Sequence, residues 1–458
     1  MSSLFGSLSI ALRALLAQQA GVQTTSNNIA NVNTRGYSRQ RAVLREEATV
    51  LFGRHQFGTG MSLEKVESIR DRILELRLHQ ETQQEGRLEA FLDAMRQAEA
   101  LFNEAAGSGL EGDLSRFFDS LSQLSINPTS IPLRQNVLTA GRSLAEAFQR
   151  AYRGLTTLQA GQDRGVIQTV QEINRLTSEI ATQNREVQAR VGVGRDPADA
   201  GDHREVLIRQ LSELVDVAVV DAGNGALTLT TADGTALVVG EKSISLGLSP
   251  DPATGFQRIL VQGSDITATI TAGKLGGLLE VRDRTLTAIR ADLDTLAARL
   301  ATSINATHRA GFDLNGVPGG DFFLPPPAGG SAANSLALAI SDPRQIAASS
   351  DTSPGGNGNV NALRALREQP IVNGQKPLDF YAGVVFRIGN DISIASSEEE
   401  AQALILRQLE NQRGAVSGVS LDEEALNLIR FQRAFEAAAR VVTTVNELTA
   451  TAIQLGRS

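Results

Sequence analysis

Four histidines, a scatter of carboxylates and a few glycine-rich turns are the residues whose types first invite chemistry in this 458-residue chain. His55, His79, His203 and His308 stand far apart, and none lies in an HExxH or HxH context, so their spacing offers no metal-ligand set. Asp313, Asn315 and Gly316 in GFDLNGVPGGDFF begin like a calcium loop but lack the later acidic ligands, and the stretch reads as a turn. VGVGRD has no P-loop Lys-Ser/Thr, and AGKLGG lacks the leading spacing and strand-to-helix context, so neither predicts a phosphate cradle. Asn305-Ala306-Thr307 matches a glycosylation sequon inside a helical pattern and reads as a chance match. Glu46-Glu47 and the run Glu398 to Glu400 read as solvated faces. No nucleophile, base and orienting group come together, and the expectation is a non-enzyme with no catalytic, metal or cofactor site.

Composition narrows the class further. Zero cysteines exclude disulfides, thiolate nucleophiles and iron-sulfur clusters. With 41% apolar residues the chain can bury a sizeable core, yet aromatics are 4% and Trp is absent, which favours long, slender helical packing. A net charge of -8, with no block of five basic residues, argues against nucleic acid as a partner. No run of about eighteen apolar residues occurs, so membrane insertion is not expected. The start MSSLFGSLSIALRALLAQQAG lacks the marks of a cleavable signal, so any export is expected to use another route.

Heptads mark both ends. Leu8, Leu15, Val22 and Ile29 recur every seven residues, with Leu4, Ala11, Gln18, Thr25 and Val32 as the offset set. Roughly 39 Å of helix is implied from Leu4 to Ile29 at 1.5 Å per residue. Leu421, Leu428, Phe435 and Val442 keep the same spacing, with Phe431, Ala438, Val445 and Ala452 offset by three, and Asp422, Glu423 and Glu424 follow a Ser420 N-cap. Between the two ends, TTSNNIANVNTRGYS places Asn27, Asn28, Asn31 and Asn33 within seven positions, where the first helix must stop. Two readings follow: the two terminal helices simply pack on each other, or, because two such slim helices bury little and each Leu or Val is worth only about 1.5 to 3 kcal/mol, they order fully when neighbouring subunits supply the rest of the core.

The middle reads as more helix: a stripe from Leu74 to Phe102, then stretches around 113–124, 131–159 and 166–187. A short helix over 203–214 leads into period-two alternation with an Asp233-Gly234 hairpin signal, a β-rich insertion over roughly 215–273. Helix resumes over 274–309, loops and short strands fit 311–384, and helix returns over 391–413. The predicted fold class is therefore mainly α with a β-rich insertion: an elongated, discontinuous helical bundle and coiled coil formed by both chain ends, plus a small β outer domain. Its expected units are 1–40 with 415–458 for the terminal coiled coil, 41–200 with 274–414 for a helical rod with loop and short-strand segments, and 201–273 for the β-rich insertion.

TTSNNIANVNTRGYSRQ resembles the N-terminal signature of the bacterial flagellar axial proteins, the family of rod, hook and junction subunits. SGVSLDEEALNLIRFQRAFEAAARVVTTVNEL, INPTSIPLRQNVL, KLGGLLEVRDRTL and YAGVVFRIGND resemble the family's hook-filament junction members, so the resemblance runs along nearly the whole chain. It implies a structural subunit that forms a ring with copies of itself and contacts the hook protein and the next junction protein. Export through the flagellar type III apparatus is implied too, to an extracellular place in the flagellum, with an export chaperone holding the C-terminal helix beforehand. Assembly residues carried over are Asn27, Asn28, Ile29, Ala30, Asn31, Thr34, Gly36 and Tyr37, then Leu421, Asp422, Leu428, Phe431, Phe435 and Val442; the heptads add Leu8, Leu15, Val22 and Val445. Only one outer domain fits the β-rich stretch, fewer than in longer relatives. Other readings are a hook or rod protein, which the SGVSLDEEA start of the last helix argues against, and a secreted enzyme or adhesin on borrowed axial termini.

Overall fold

A computed structural model describes residues 2–34, 36–52, 55–102, 109–193, 197–223 and 225–455. The long helix α1 (Ser2–Ala30) opens the chain and is followed by a β arm of β1 (Gln40–Glu46), β2 (Val50–Phe52), β3 (His55–Phe57) and β4 (Met61–Ser68). Helices α2 (Arg72–Phe102), α3 (Leu110–Leu124), α4 (Ile131–Gly192) and α5 (Ala198–Leu214) then lead into the insertion. That insertion holds β5 (Ala218–Asp221), β6 (Leu227–Thr230), β7 (Ala236–Val239), β8 (Lys242–Ser243), β9 (Gly247–Pro250), β10 (Gln257–Val261) and β11 (Ser264–Asp265). The return path comprises α6 (Gly273–Glu280), α7 (Leu286–Arg309), α8 (Ala332–Ser335), α9 (Gly358–Ala365), α10 (Pro377–Ser417) and α11 (Leu421–Leu455). The mainly α class with a small β-rich insertion is the one composition and periodicity predict.

Helix α4 is one uninterrupted rod of 62 residues, about 93 Å at 1.5 Å per residue, where two separate helical stretches were expected. Its first half carries one core and its second half another. The first core gathers α3, α7, α9 and the start of α10 around Phe117, Phe118, Phe322 and Phe323. The ring centroids of Phe322 and Phe323 are 4.9 Å apart, and those of Phe117 and Phe322 5.6 Å. A chain poor in aromatics thus gathers four of its phenylalanines in one core. Buried Arg134 donates to the carbonyls of Pro128 and Ile346, both at 2.6 Å, and so ties the irregular stretch after α7 to the foot of α4. The second core uses Val166, Val170, Ile173 and Ile180 of α4 to cover Leu229, Leu237, Val238 and Ile259 of the insertion.

The insertion is a four-stranded antiparallel sheet ordered β5-β6-β7-β8 and a three-stranded one ordered β11-β10-β9. Gly234, at φ 89°, turns the chain between β6 and β7 where the Asp-Gly signal stands. On the return path a π-helical turn over Val281–Thr285 joins α6 to α7, and there buried Arg282 pairs with Asp163 of α4 at 2.6 Å.

Two elements differ from the sequence reading. The β arm pairs β1 with β4 and β2 with β3 over residues for which no particular strands were predicted within the rod unit. Helix α10 begins at Pro377, fourteen residues before the expected 391, with Pro at its first position, Asp379 in the first turn and Tyr381, Val384 and Ile388 buried at helical spacing.

Helices α2, α5 and α6 approach closely enough to require glycine. A Cβ on Gly86 would lie 2.2 Å from the Glu213 carbonyl, and one on Gly277 would lie 2.4 Å from the Arg87 carbonyl. Backbone cannot yield as a side chain can. Gly277→Ala is therefore expected to destabilise the chain by about 1 to 3 kcal/mol, read as a lowered midpoint in chemical denaturation.

His308 provides a pH signature. Its Nε2 accepts the Ala347 N–H at 2.9 Å, so Nδ1 carries the proton donated to the Gly320 carbonyl at 2.7 Å, and the ring is neutral. Burial holds its pKa below the ordinary 6.5. The unfolded chain then binds a proton that the folded chain refuses, so this contribution to stability is present above about 6.5 and lost as pH falls toward the folded value. Unfolding midpoints between pH 7.5 and 5.5 should fall less in His308→Gln than in the unsubstituted chain.

Candidate assembly interface

The two chain ends close on each other. Helix α11 runs antiparallel to α1: Asn28 of α1 reaches Glu424 of α11, Gly21 lies under the Phe431 ring, and Ala14 and Ala11 share a groove with Ala438 and Val441. The most deeply buried seam on α1 consists of small or polar residues, Ala11, Ala17, Gln18, Thr24, Thr25 and Asn28. Leu8, Leu15, Val22 and Ile29, expected at the centre of the stripe, are half-buried and flank it. On α11 Val445 is buried; Leu428, Phe431, Phe435 and Val442 are half-buried; Leu421 and Asp422 are exposed. The phase differs because the close approach of two helix backbones selects residues without bulk, while the larger side chains straddle the contact.

Phe5, Leu12 and Leu16 of α1, with Leu426, Ile429, Leu448 and Leu455 of α11, face solvent in the single chain. Monomeric proteins seldom leave so many apolar side chains on one helix pair uncovered.

The asparagine-rich segment is where the pair joins the body. Asn31 Nδ2 donates to the Asn27 carbonyl and Oδ1, both at 3.0 Å, and Thr34 Oγ1 donates to Asn31 Oδ1 at 3.1 Å, which ends α1. Ala30 and Thr34 are exposed at that exit. Gly36, at φ 84°, could not carry a Cβ: it would stand 2.2 Å from Val206 of α5. Asn28, almost fully buried, accepts from the Tyr37 hydroxyl at 2.8 Å and the Gln40 N–H at 2.9 Å, and donates to the Gln40 carbonyl at 2.9 Å and to Glu424 Oε2 at 3.1 Å. Every hydrogen-bonding position of its amide is therefore used.

Glu424 completes the knot. Its Oε1 accepts from Arg39 Nε at 2.7 Å, Arg39 also pairs with Glu423 at 2.6 Å, and the Arg39 N–H donates to the Ser417 carbonyl at 2.9 Å. A second knot fastens the same turn to the body: Arg70 pairs with buried Asp202 of α5, Arg70 Nε donates to Ser38 Oγ at 3.2 Å, and Gln40 Nε2 donates to Asp199 at 3.3 Å. Burial pushes the Asp202 pKa up, against the pull of Arg70. The sequence reading missed Arg39, Gln40, Arg70, Asp202 and Glu424. Only Glu424 carried a local signal, as one of three acids in the first turn of α11.

The chemistry-bearing residues take structural places. Glu75, His79 and Glu205 bring donor atoms within 4.8 Å of one another, but Arg413 at 2.7 Å and Arg209 at 3.3 Å already neutralise Glu75. Two guanidiniums repel a further cation, and the cluster reads as an ion-pair network tying α2 to α5 and α10. His203 is exposed, and His55 lies in β3. Asn305 is buried, donating to the Phe323 carbonyl and accepting from the N–H groups of Phe322 and Phe323, so the sequon is part of a core. Asp313 Oδ1 accepts from the N–H groups of Asn315 and Val317, which makes its loop a turn. In AGKLGG, Gly273 at φ 68° and Gly277 allow close backbone packing. Residues 194–196 of VGVGRD lie outside the described residues.

Comparison with known proteins accords with this architecture. The model of the flagellar hook-associated protein FlgK helical domain matches residues 95–323, the flagella basal body rod protein model matches 8–37, and the flagellar basal body rod FlgEFG protein C-terminal model matches 412–455. The last two fall on α1 and α11. Flagellar hook-associated protein 1 of Bacillus subtilis is 32% identical, with 98% of this chain and 97% of that protein covered. Its counterpart in Salmonella typhimurium is 27% identical, with coverage of 98% and 99%, aligned over 549 positions against 458 residues here, so that relative carries insertions. The solved flagellar hook junction protein FlgK from Burkholderia pseudomallei has the same fold, with a TM-score of 0.68 at 17% identity over 74% of this chain and all of that one. A chain matched end to end in this way, with its rod-type termini folded into one antiparallel pair, belongs to the flagellar hook-associated protein 1 family.

Proposed function

We propose that this chain is a structural subunit of the bacterial flagellum at the junction of hook and filament, and that it self-assembles through its paired terminal helices. The observation that carries the second half is the row of exposed apolar residues on α1 and α11, on a pair whose own seam is made of small residues. Neighbouring copies would cover that row, and the assembly residues named from the sequence act as packing and contact groups on its two sides. Asn27, Asn28, Asn31 and Gly36 serve instead at the exit from α1. Division into an assembly pair (1–40 and 415–458), a rod (41–200 and 274–414) and an outer insertion (201–273) follows the same reading. Partners are a ring of further copies, the hook protein, the next junction protein and, before export, a chaperone on the C-terminal helix. Passage through the flagellar type III apparatus to an extracellular position belongs to the reading too. The described residues show structural uses for each histidine whose contacts they give, which supports a role without catalysis.

Deleting the coding region should leave cells with hooks and no filaments in electron micrographs; full-length filaments would refute the junction role. The helix-pair mechanism has its own test. Replacing Leu426, Ile429 and Leu448 together by Ser should change the chain's unfolding free energy by less than about 1 kcal/mol, as for other exposed sites, while filament growth in the complemented deletion strain is lost. Normal filaments from that variant would overturn assembly through α11.

A further inference from the structure

The α1-α11 contact repeats every seven residues on both helices in opposite directions. Asn28, Gly21, Ala14 and Ser7 descend α1 as Glu424, Phe431, Ala438 and Val445 ascend α11. The first two pairs are in direct contact, and Ser7, Ala14 and Ala438 line one groove. Alanine and serine layers are nearly interchangeable, so they hold the helices together without choosing among registers one heptad apart. Something else must choose.

Two neighbouring layers are not interchangeable. A Cβ on Gly21 would stand 2.6 Å from the Phe431 ring, so the ring occupies a notch that exists because position 21 has no side chain. One heptad along, the Glu424 carboxylate is 2% exposed and is satisfied by Asn28 Nδ2 at 3.1 Å and Arg39 Nε at 2.7 Å. A seven-residue slip one way sets Phe431 on Ala14 and buries the Glu424 carboxylate against Gly21, with neither partner in reach. The opposite slip drives Phe431 onto Asn28. We infer that Gly21-Phe431 and Asn28-Glu424-Arg39 together form a register key, a steric notch and a buried charge that admit one alignment of the chain's two ends. A buried polar pair specifying coiled-coil alignment is the best attested use of such groups. The key also dictates which apolar residues of α1 and α11 stand side by side on the outer surface; that consequence rests on the assembly reading above, whereas the register does not.

The cysteine-free chain permits a direct test. An Ala14→Cys, Ala438→Cys pair reports the observed register, and Ser7→Cys, Ala438→Cys reports the slip of one heptad, about 10.5 Å along the axis, that would bury Glu424 against Gly21. A disulfide requires Cα atoms within about 7 Å, so each pair reads one register. In dilute full-length chain, with circular dichroism confirming folding, the first pair should oxidise at least about tenfold faster than the second, the margin expected when a buried charge would lose its partners. Gly21→Ala with Glu424→Ala should bring the ratio near one. Glu424→Gln, the milder variant should the double one not fold, should fall between, because its amide oxygen still accepts from Asn28. An unchanged ratio in these variants, or no preference in the otherwise unsubstituted chain, would overturn the key. Oxidation in dilute chain does not depend on assembly, so this result and the filament phenotype can fail separately.

Discussion

Burial of one carboxylate, that of Glu424, is the contact on which the rest of the molecule's organisation turns. A charge taken out of water is strongly unfavourable unless its partners are in place, and removing one partner of such a group typically costs about 3 to 5 kcal/mol. Here the partners lie about 400 residues away, on the helix end and turn that follow α1. Closing the chain on itself is therefore the condition for hiding Glu424. Every element between residues 40 and 417 must be laid out so that the two ends arrive together.

The body meets that condition with a continuous rod. Helix α4 runs along both cores, α2 and α10 pack along each other, and the insertion is a side-loop covered by the far half of α4. At the end nearest the termini, polar knots join the apolar packing of Leu74, Leu78, Leu406 and Leu409: Arg70 with Asp202, Arg413 and Arg209 with Glu75, and Arg39 with Glu424. Such contacts are directional, whereas apolar packing tolerates sliding.

This division of labour fits a structural protein of the flagellar axis. Several groups that look reactive in the sequence are occupied: His308 by two backbone groups, Asn305 by a buried loop, Asp313 by its own turn. The apolar outer side of the terminal pair is open to solvent.

The sequence by itself determined that the ends are heptad helices, that a small β unit interrupts a helical body, and that the asparagine cluster ends α1. Each follows from local rules, the period of apolar residues, the Asp-Gly turn, and the side-chain capacity of Asn to bond its own backbone. It left open which heptad phase faces inward, because Leu8 and Ala11 belong to equally regular series and only the nearness of a second backbone favours the smaller. The β arm at 40–68 and the early start of α10 were obscured by short strands and by glycines scattered through 374–389. Arg39, Arg70, Asp202 and Glu424 were invisible as a group because their partners are distant in sequence. An ion pair has no periodicity to read, and only the tertiary structure decides which of 94 charged side chains meet.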